Sequence, residues 1–384
     1  PMTINGKLDR NALPAPVHKK QHADFSLSLA DACEVLSIRP RTGLEMQLLS
    51  VWADVTGVEN CGITDDFFDL GGHSMTVMKL VDSIHKRLQK TVPMATVFQC
   101  PTVEKMADWM VSEGQNQDAI LLPFSPVLSK HEQNQPIFAY PPLTGMPLCY
   151  YELSVALNTV GNTVEQRQPF YGLQAPGIND NAKPLNSIEL MAQRYLEELT
   201  RVSPQGPYRL MGWSLGGMVA FETARMLVDA GYVVEQLVLV DAAPFSAFEQ
   251  DVSDLLADPI GFTADTLAIE LPEHLSNQQK MPFMLKQAVA LKVLPSWFDL
   301  EALQRLSAVI IASMTAYIDY EPGLYTGQMT LVKASASPEW DDVCPQKVWS
   351  TYCQQVNLIE VPQGTHDNLL QAPQLDYVVR SIND

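Results

Sequence analysis

Gly212-Trp213-Ser214-Leu215-Gly216 sets a serine between two glycines, just after the strand-like run Tyr208-Arg209-Leu210-Met211 and just before a helical stretch that opens at Leu215. The bare pattern is also a common glycine turn. In a strand–turn–helix setting, however, the glycines relieve crowding and the serine oxygen is presented as a nucleophile for acyl transfer. A serine hydroxyl needs a base, and the base needs an orienting acid. Among the seven histidines, His366 in Gln363-Gly364-Thr365-His366-Asp367 follows the strand-like run Leu358-Ile359-Glu360-Val361, and His274 is its rival. The acid is expected at the end of a strand between serine and histidine. Asp241 directly follows Leu237-Val238-Leu239-Val240, although it could instead cap a helix. Asp341 or Asp342, after the run Met329-Thr330-Leu331-Val332, is the alternative. The oxyanion formed on attack needs two preorganised N–H donors. Leu215, after the serine, supplies one. In the turn Tyr140-Pro141-Pro142-Leu143 the prolines have no N–H, so Leu143 is the first residue free to supply the other.

A second serine stands apart from these. Asp65-Asp66-Phe67-Phe68-Asp69-Leu70-Gly71-Gly72-His73-Ser74-Met75 ends a loop with two glycines and leaves Ser74 at the start of a helix. Free N–H groups and the positive end of the helix dipole favour a phosphate at such a position. The residues alone leave two readings open, an N-cap serine and a serine that receives a phosphate-bearing group.

Two kinds of element must position these groups, and 384 residues suit one small and one larger domain. In the first, Thr42-Gly43-Leu44-Glu45 has capping-box form, and Leu44, Leu48, Val51, Trp52 and Val55 follow at helical spacing. Met75, Met78, Val81 and Leu88 mark the expected buried face of a second helix, and Pro101-Thr102 opens a last one through Met106, Trp109 and Met110. Further on, strand-like runs at Ile137–Tyr140, Phe170–Leu173, Tyr208–Met211, Leu237–Val240, Met329–Val332 and Leu358–Val361 alternate with helices at Ile188–Val202 and Leu215–Ala230. That rhythm predicts a mostly parallel sheet covered on both faces. Residues 245–320 interrupt it with a helical stretch rich in Leu, Met and Phe, read as a lid. The expected division is therefore 1–16 as a tail, 17–37 as a linker, 38–113 as a small four-helix bundle, 114–135 as a polar tether, and 136–384 as the α/β domain.

Composition narrows the partners. A formal charge of −19 argues against nucleic acid and anionic membranes, which favour basic patches. No apolar run is long enough to cross a bilayer, and no signal peptide is visible. The opening residues read as the interior of a longer protein. The six cysteines have no CxxC spacing, which suggests reduced thiols in the cytoplasm. His18 and His22 have i, i+4 spacing but no third ligand, so no metal is expected.

Phe67-Phe68-Asp69-Leu70-Gly71-Gly72-His73-Ser74 resembles the core motif of peptidyl carrier domains. That resemblance implies 4′-phosphopantetheine carried covalently on Ser74 and attached by a phosphopantetheinyl transferase. Asn5-Gly6-Lys7-Leu8-Asp9-Arg10 with Leu13-Pro14-Ala15-Pro16 is similar to the end of an adenylation domain, whose lysine at the Lys7 position contacts the acyl-adenylate. From about Pro136, the Pro141-Pro142 pair, Gly206-Pro207-Tyr208, the serine pentapeptide, Asp241 and Gly364-Thr365-His366 match, in order, the thioesterase domains of peptide and polyketide synthetases. Serine, acid and then histidine is also the chain order of α/β-hydrolases. The resemblance implies an α/β-hydrolase fold with catalytic Ser214, Asp241 and His366, acting on an acyl or peptidyl thioester delivered by upstream adenylation and condensation domains. A free-standing esterase or lipase, and a non-catalytic carrier and docking module, are the other readings. Intact-mass measurement and fluorophosphonate labelling tell them apart.

Overall fold

The computed structural model describes residues 43–58, 61–112, 120–124, 135–159, 168–178, 182–248, 256–291, 293–294, 298–337 and 343–383. Lys7, His18, His22, Asp341, Asp342 and the segments 1–16 and 17–37 lie outside them, as does most of 114–135.

The first region holds helices α1 (Gly43–Thr56), α2 (Ser74–Leu88), α3 (Met94–Gln99) and α4 (Val103–Val111). Leu48, Val51 and Trp52 of α1 are fully buried, as the spacing predicts, and Met106, Trp109 and Met110 of α4 are buried with them. Thr102 caps α4 by accepting the Lys105 N–H at 3.2 Å. The buried face of α2 differs from expectation. Val77, Leu80, Val81 and Ile84 form it, whereas Met75 is 50% exposed and Met78 and Leu88 are half-buried. Met75 stands two residues before Val77 and so falls on the far side of a helix with 3.6 residues per turn.

The second region is one sheet of seven strands among the described residues: β1 (Leu121–Pro123), β2 (Ile137–Tyr140), β3 (Phe170–Leu173), β4 (Tyr208–Trp213), β5 (Val234–Val240), β6 (Tyr325–Ala334) and β7 (Cys353–Val361). The order is β1-β3-β2-β4-β5-β6-β7. All pairings are parallel except β1 with β3. Side chains alternate between the faces, as a pleat requires. Ile137, Ala139, Met211, Val238, Val240 and Val332 join one core with α12 (Leu375–Asn383). Phe138, Tyr140, Leu210, Leu239 and Leu331 join the other, under α6 (Ile188–Val202) and α7 (Leu215–Asp229). Burial on both faces explains why the strands read as apolar runs. Two further helices, α5 (Tyr151–Thr159) and α11 (Pro345–Trp349), complete the layers.

The stretch expected to be a lid is helical: α8 (Pro259–Thr266), α9 (Asn277–Ala290) and α10 (Leu300–Asp319) enclose a separate apolar cluster around Met284, Leu303, Leu306 and Ile310. Asp299 caps α10, its carboxylate accepting the Ala302 N–H at 2.7 Å.

Within the segment expected to be a tether, Leu121–Pro123 forms an edge strand. The Phe124 N–H bonds the Phe170 carbonyl at 2.8 Å. Ile120, Leu122 and Phe124 are buried. Five residues are enough for this, and the glutamines and asparagines on either side conceal them in a reading by average composition. The Phe124 ring stacks on Phe170, with centroids 6.1 Å apart, and meets Phe98 of α3 at 4.9 Å. Phe98 in turn stacks on Phe68 of the loop before Ser74, at 5.2 Å. The helical region and the sheet thus share one continuous apolar cluster.

Candidate active site

Ser214, Asp241 and His366 come from turns that follow β4, β5 and β7, on the carboxyl-end side of the sheet. Ser214 has φ 57° and ψ −130°, a conformation an L-residue holds only when its surroundings impose it. Those surroundings are visible. A Cβ on Gly212 would lie 2.0 Å from the Gly216 oxygen, and one on Gly216 would lie 2.3 Å from the Tyr140 oxygen. Both glycines of the pentapeptide are therefore steric requirements of the turn. The Ser214 N–H is held by the Val240 carbonyl at 3.0 Å, and the Gly217 N–H returns to the Ser214 carbonyl at 2.9 Å.

Asp241 is 5% exposed and also lies at positive φ, 46°. Its N–H donates to the Val332 carbonyl at 2.7 Å. One carboxylate oxygen, Oδ1, accepts the Ala334 N–H at 2.9 Å. The other, Oδ2, lies 2.8 Å from His366 Nδ1 and accepts the Ser337 hydroxyl at 3.2 Å. A carboxylate that accepts only from donors fixes the ring so that Nδ1 carries the proton. His366 is tied in turn to the serine turn, for the Trp213 indole N–H donates to its carbonyl at 3.1 Å and the two rings lie 5.1 Å apart. The rival, His274, is exposed ahead of α9.

Leu215 is the first residue of α7, so its N–H has no carbonyl one turn back to bond. Leu143 lies in the turn after β2, which is closed by the Gly145 N–H bonding the Pro142 carbonyl at 2.8 Å. Pro141, Pro142 and Leu215 line a shared recess with Val309 and Ser313 of α10. Two groups escaped the sequence reading. Ser337 carries no motif, and Trp213 is the unspecified second position of the pentapeptide. A strand-end loop reaching back to Asp241 can be seen only once β5 and β6 are known to be neighbours.

Ser74 is half-exposed as the first residue of α2. Its approach explains the motif before it. Gly71 has φ 93°, and a Cβ on Gly72 would sit 2.4 Å from the Phe67 ring. The Thr76 hydroxyl accepts the His73 N–H at 2.6 Å, which anchors the turn. An accessible hydroxyl on the opening turn of a 15-residue helix, with exposed Met75 beside it, fits a phosphodiester-linked group.

Comparison with known proteins matches both regions to known families. Residues 135–384 match the model of the thioesterase domain family, and residues 47–110 match that of the phosphopantetheine attachment site. The second match indicates a covalently attached 4′-phosphopantetheine. A dimodular nonribosomal peptide synthase of Bacillus subtilis (strain 168) is 32% identical over 382 residues, which are 97% of this chain and 15% of that protein. Malpinin synthetase of Mortierella alpina is 36% identical over 244 residues, 63% of this chain and 3% of that one. The chain thus spans a small part of the length of these relatives. A solved four-domain nonribosomal peptide synthetase, in its holo form with AMP and glycine, aligns with all of this chain and 28% of its own, at 28% identity and a TM-score of 0.63. With its matched domain carrying the serine turn, Asp241 and His366, and an attachment domain ahead of it, the chain belongs to the thioesterase family.

Proposed function

We propose that this segment carries and releases the product of a nonribosomal peptide synthetase, with Ser74 as the attachment point and Ser214, Asp241 and His366 as the catalytic triad. The observation that carries the reading is the 2.8 Å contact between His366 Nδ1 and Asp241 Oδ2, with His366 tied through Trp213 to the turn that holds Ser214 at positive φ. When bound, 4′-phosphopantetheine supplies a thiol on a long arm that holds the acyl or peptidyl chain as a thioester. His366 Nε2 takes the Ser214 proton as Oγ adds to the thioester carbonyl. Asp241 keeps the proton on Nδ1 and stabilises the imidazolium. The Leu143 and Leu215 N–H groups receive the oxyanion. Collapse breaks the carbon–sulfur bond, His366 returns the proton to the departing thiol, and the acyl group remains on Ser214. Water, or an amine or hydroxyl of the acyl or peptidyl chain, then attacks with His366 again as base; the acyl–Oγ bond breaks, His366 returns the proton to Ser214, and an acid, lactam or lactone leaves. The partners in this reading are a phosphopantetheinyl transferase and upstream adenylation and condensation domains.

Coexpression with a broad-specificity transferase tests both halves. Wild type gains one phosphopantetheine by intact mass and Ser74→Ala gains none. Ser214→Ala loads normally but strands the acyl group on the arm. His366→Ala loses release about as severely, because triad members act as a unit. A mass gain that survives Ser74→Ala removes that attachment site. Undiminished release by Ser214→Ala removes the triad.

A further inference from the structure

Tyr150 closes the short 3-10 turn Pro147–Tyr150 and is fully buried. Its hydroxyl has two partners. It donates to the Tyr140 carbonyl at 2.6 Å and accepts the Trp213 N–H at 2.7 Å. These backbone groups belong to β2 and β4, which run in parallel register as far as Tyr140 opposite Gly212. Beyond that pair the strands part. One continues into Pro141, which has no N–H, and on to Leu143. The other continues through Trp213 to Ser214 and Leu215. The hydroxyl is inserted where a direct N–H to carbonyl bond would otherwise extend the ladder. The elbow packs close to the same Tyr140 oxygen, for a Cβ on Gly216 would lie 2.3 Å from it. Tyr140 is thus held between Tyr150 and the serine turn, one residue before the segment that ends in Leu143.

We infer that Tyr150 is a positioning residue whose hydroxyl sets the spacing between the two strand ends that supply the oxyanion donors, and so acts on the transition state and not on substrate binding. The inference rests on the catalytic reading of Ser214, Leu143 and Leu215 given above. Burial also pushes the phenol well above its usual range, so the hydroxyl stays a donor at any working pH. Without it, the Trp213 N–H and the Tyr140 carbonyl lose their relay and relax toward a direct bond of about 2.9 Å. That movement draws the Leu143 turn toward the elbow. A displacement of about 1 Å in a reacting constellation costs on the order of 100-fold in rate.

The test is Tyr150→Phe in the full chain, which keeps the ring against Phe170 and removes only the hydroxyl. Hydrolysis of a synthetic octanoyl-pantetheine thioester is followed at steady state, with circular dichroism and Tm as checks on folding. The expected result is kcat lowered about 10- to 100-fold with KM within about twofold. Val378→Ala, in the buried face of α12, serves as a destabilised control and is expected to keep wild-type kcat. Wild-type kcat for Tyr150→Phe, a rise in KM alone, or an equal loss in Val378→Ala overturns the inference. Ser214→Ala is run beside them. If it hydrolyses the thioester normally, the catalytic reading itself fails. If it is inactive while Tyr150→Phe turns over at the wild-type rate, only the role of Tyr150 fails.

Discussion

Replacing Asp241 with asparagine changes one atom in a site where each carboxylate oxygen has an assigned partner. Oδ1 accepts a backbone N–H from Ala334 at 2.9 Å, and that donor is fixed by β6. Oδ2 faces His366 Nδ1 at 2.8 Å and the Ser337 hydroxyl at 3.2 Å. In Asp241→Asn the amide oxygen must stay toward Ala334, because turning the NH₂ there would set two donors face to face in a buried pocket. Such an unsatisfied pair costs about 1–3 kcal/mol for each group left unpaired. The NH₂ therefore points at His366, while Ser337 adapts by rotating its hydroxyl to accept. Nδ1 then becomes an acceptor, the ring proton moves to Nε2, and Nε2 can no longer take the Ser214 proton. Reaching the productive tautomer requires the amide to flip against the Ala334 N–H, and the imidazolium also loses its counter-charge. Together these effects are expected to lower turnover by about 10⁴, as tautomer reversal does in serine proteases, or about 5.5 kcal/mol in the barrier. The assay is single-turnover release of a synthetic acyl-pantetheine, with Tm confirming an intact fold. A loss smaller than about tenfold in a folded variant would refute the assignment of Asp241 as the orienting acid.

Gly216→Ala places a Cβ 2.3 Å from the Tyr140 oxygen, so both Tm and fluorophosphonate labelling of Ser214 should fall, and an unchanged labelling rate would show that the elbow can relax. Phe124→Ala removes the ring between Phe98 and Phe170; a Phe-to-Ala change in a core costs about 3–5 kcal/mol. It should slow release from the loaded carrier in cis while hydrolysis of free acyl-pantetheine is little changed; equal loss of both would make Phe124 a part of the thioesterase core alone. Burial raises the Asp66 carboxyl above its ordinary value, so its ionisation opposes folding once pH exceeds the folded pKa, and no penalty remains below the unfolded one. Asp66→Asn should therefore stabilise the carrier region in denaturant titrations at pH 7 and lose that advantage at about pH 3.5; the opposite pH trend would contradict the sign.

The sequence by itself determined the groups proposed to do chemistry, because their constraints are local. The elbow needs glycines two residues either side of Ser214, since backbone atoms at those positions leave no space for a Cβ. Before Ser74 the local constraints are the positive φ of Gly71, 93°, and the Phe67 ring and carbonyl that a Cβ on Gly72 would meet. The helix Ile188–Val202 and the strands Ile137–Tyr140 and Phe170–Leu173 were legible with their full extents, because apolar spacing is written within each element. Tertiary structure alone decided which elements became neighbours. Strand order places β5 beside β6, and only then do Ala334 and Ser337 reach Asp241. The bond between Asp241 and His366 spans 125 positions of sequence, a separation at which local pattern carries no information. Tyr150 reads as an ordinary aromatic until β2 and β4 are seen to part at its hydroxyl. Leu121–Pro123 joined the sheet because β3 offered a free edge, and unpaired backbone groups at such an edge take any short apolar segment within reach.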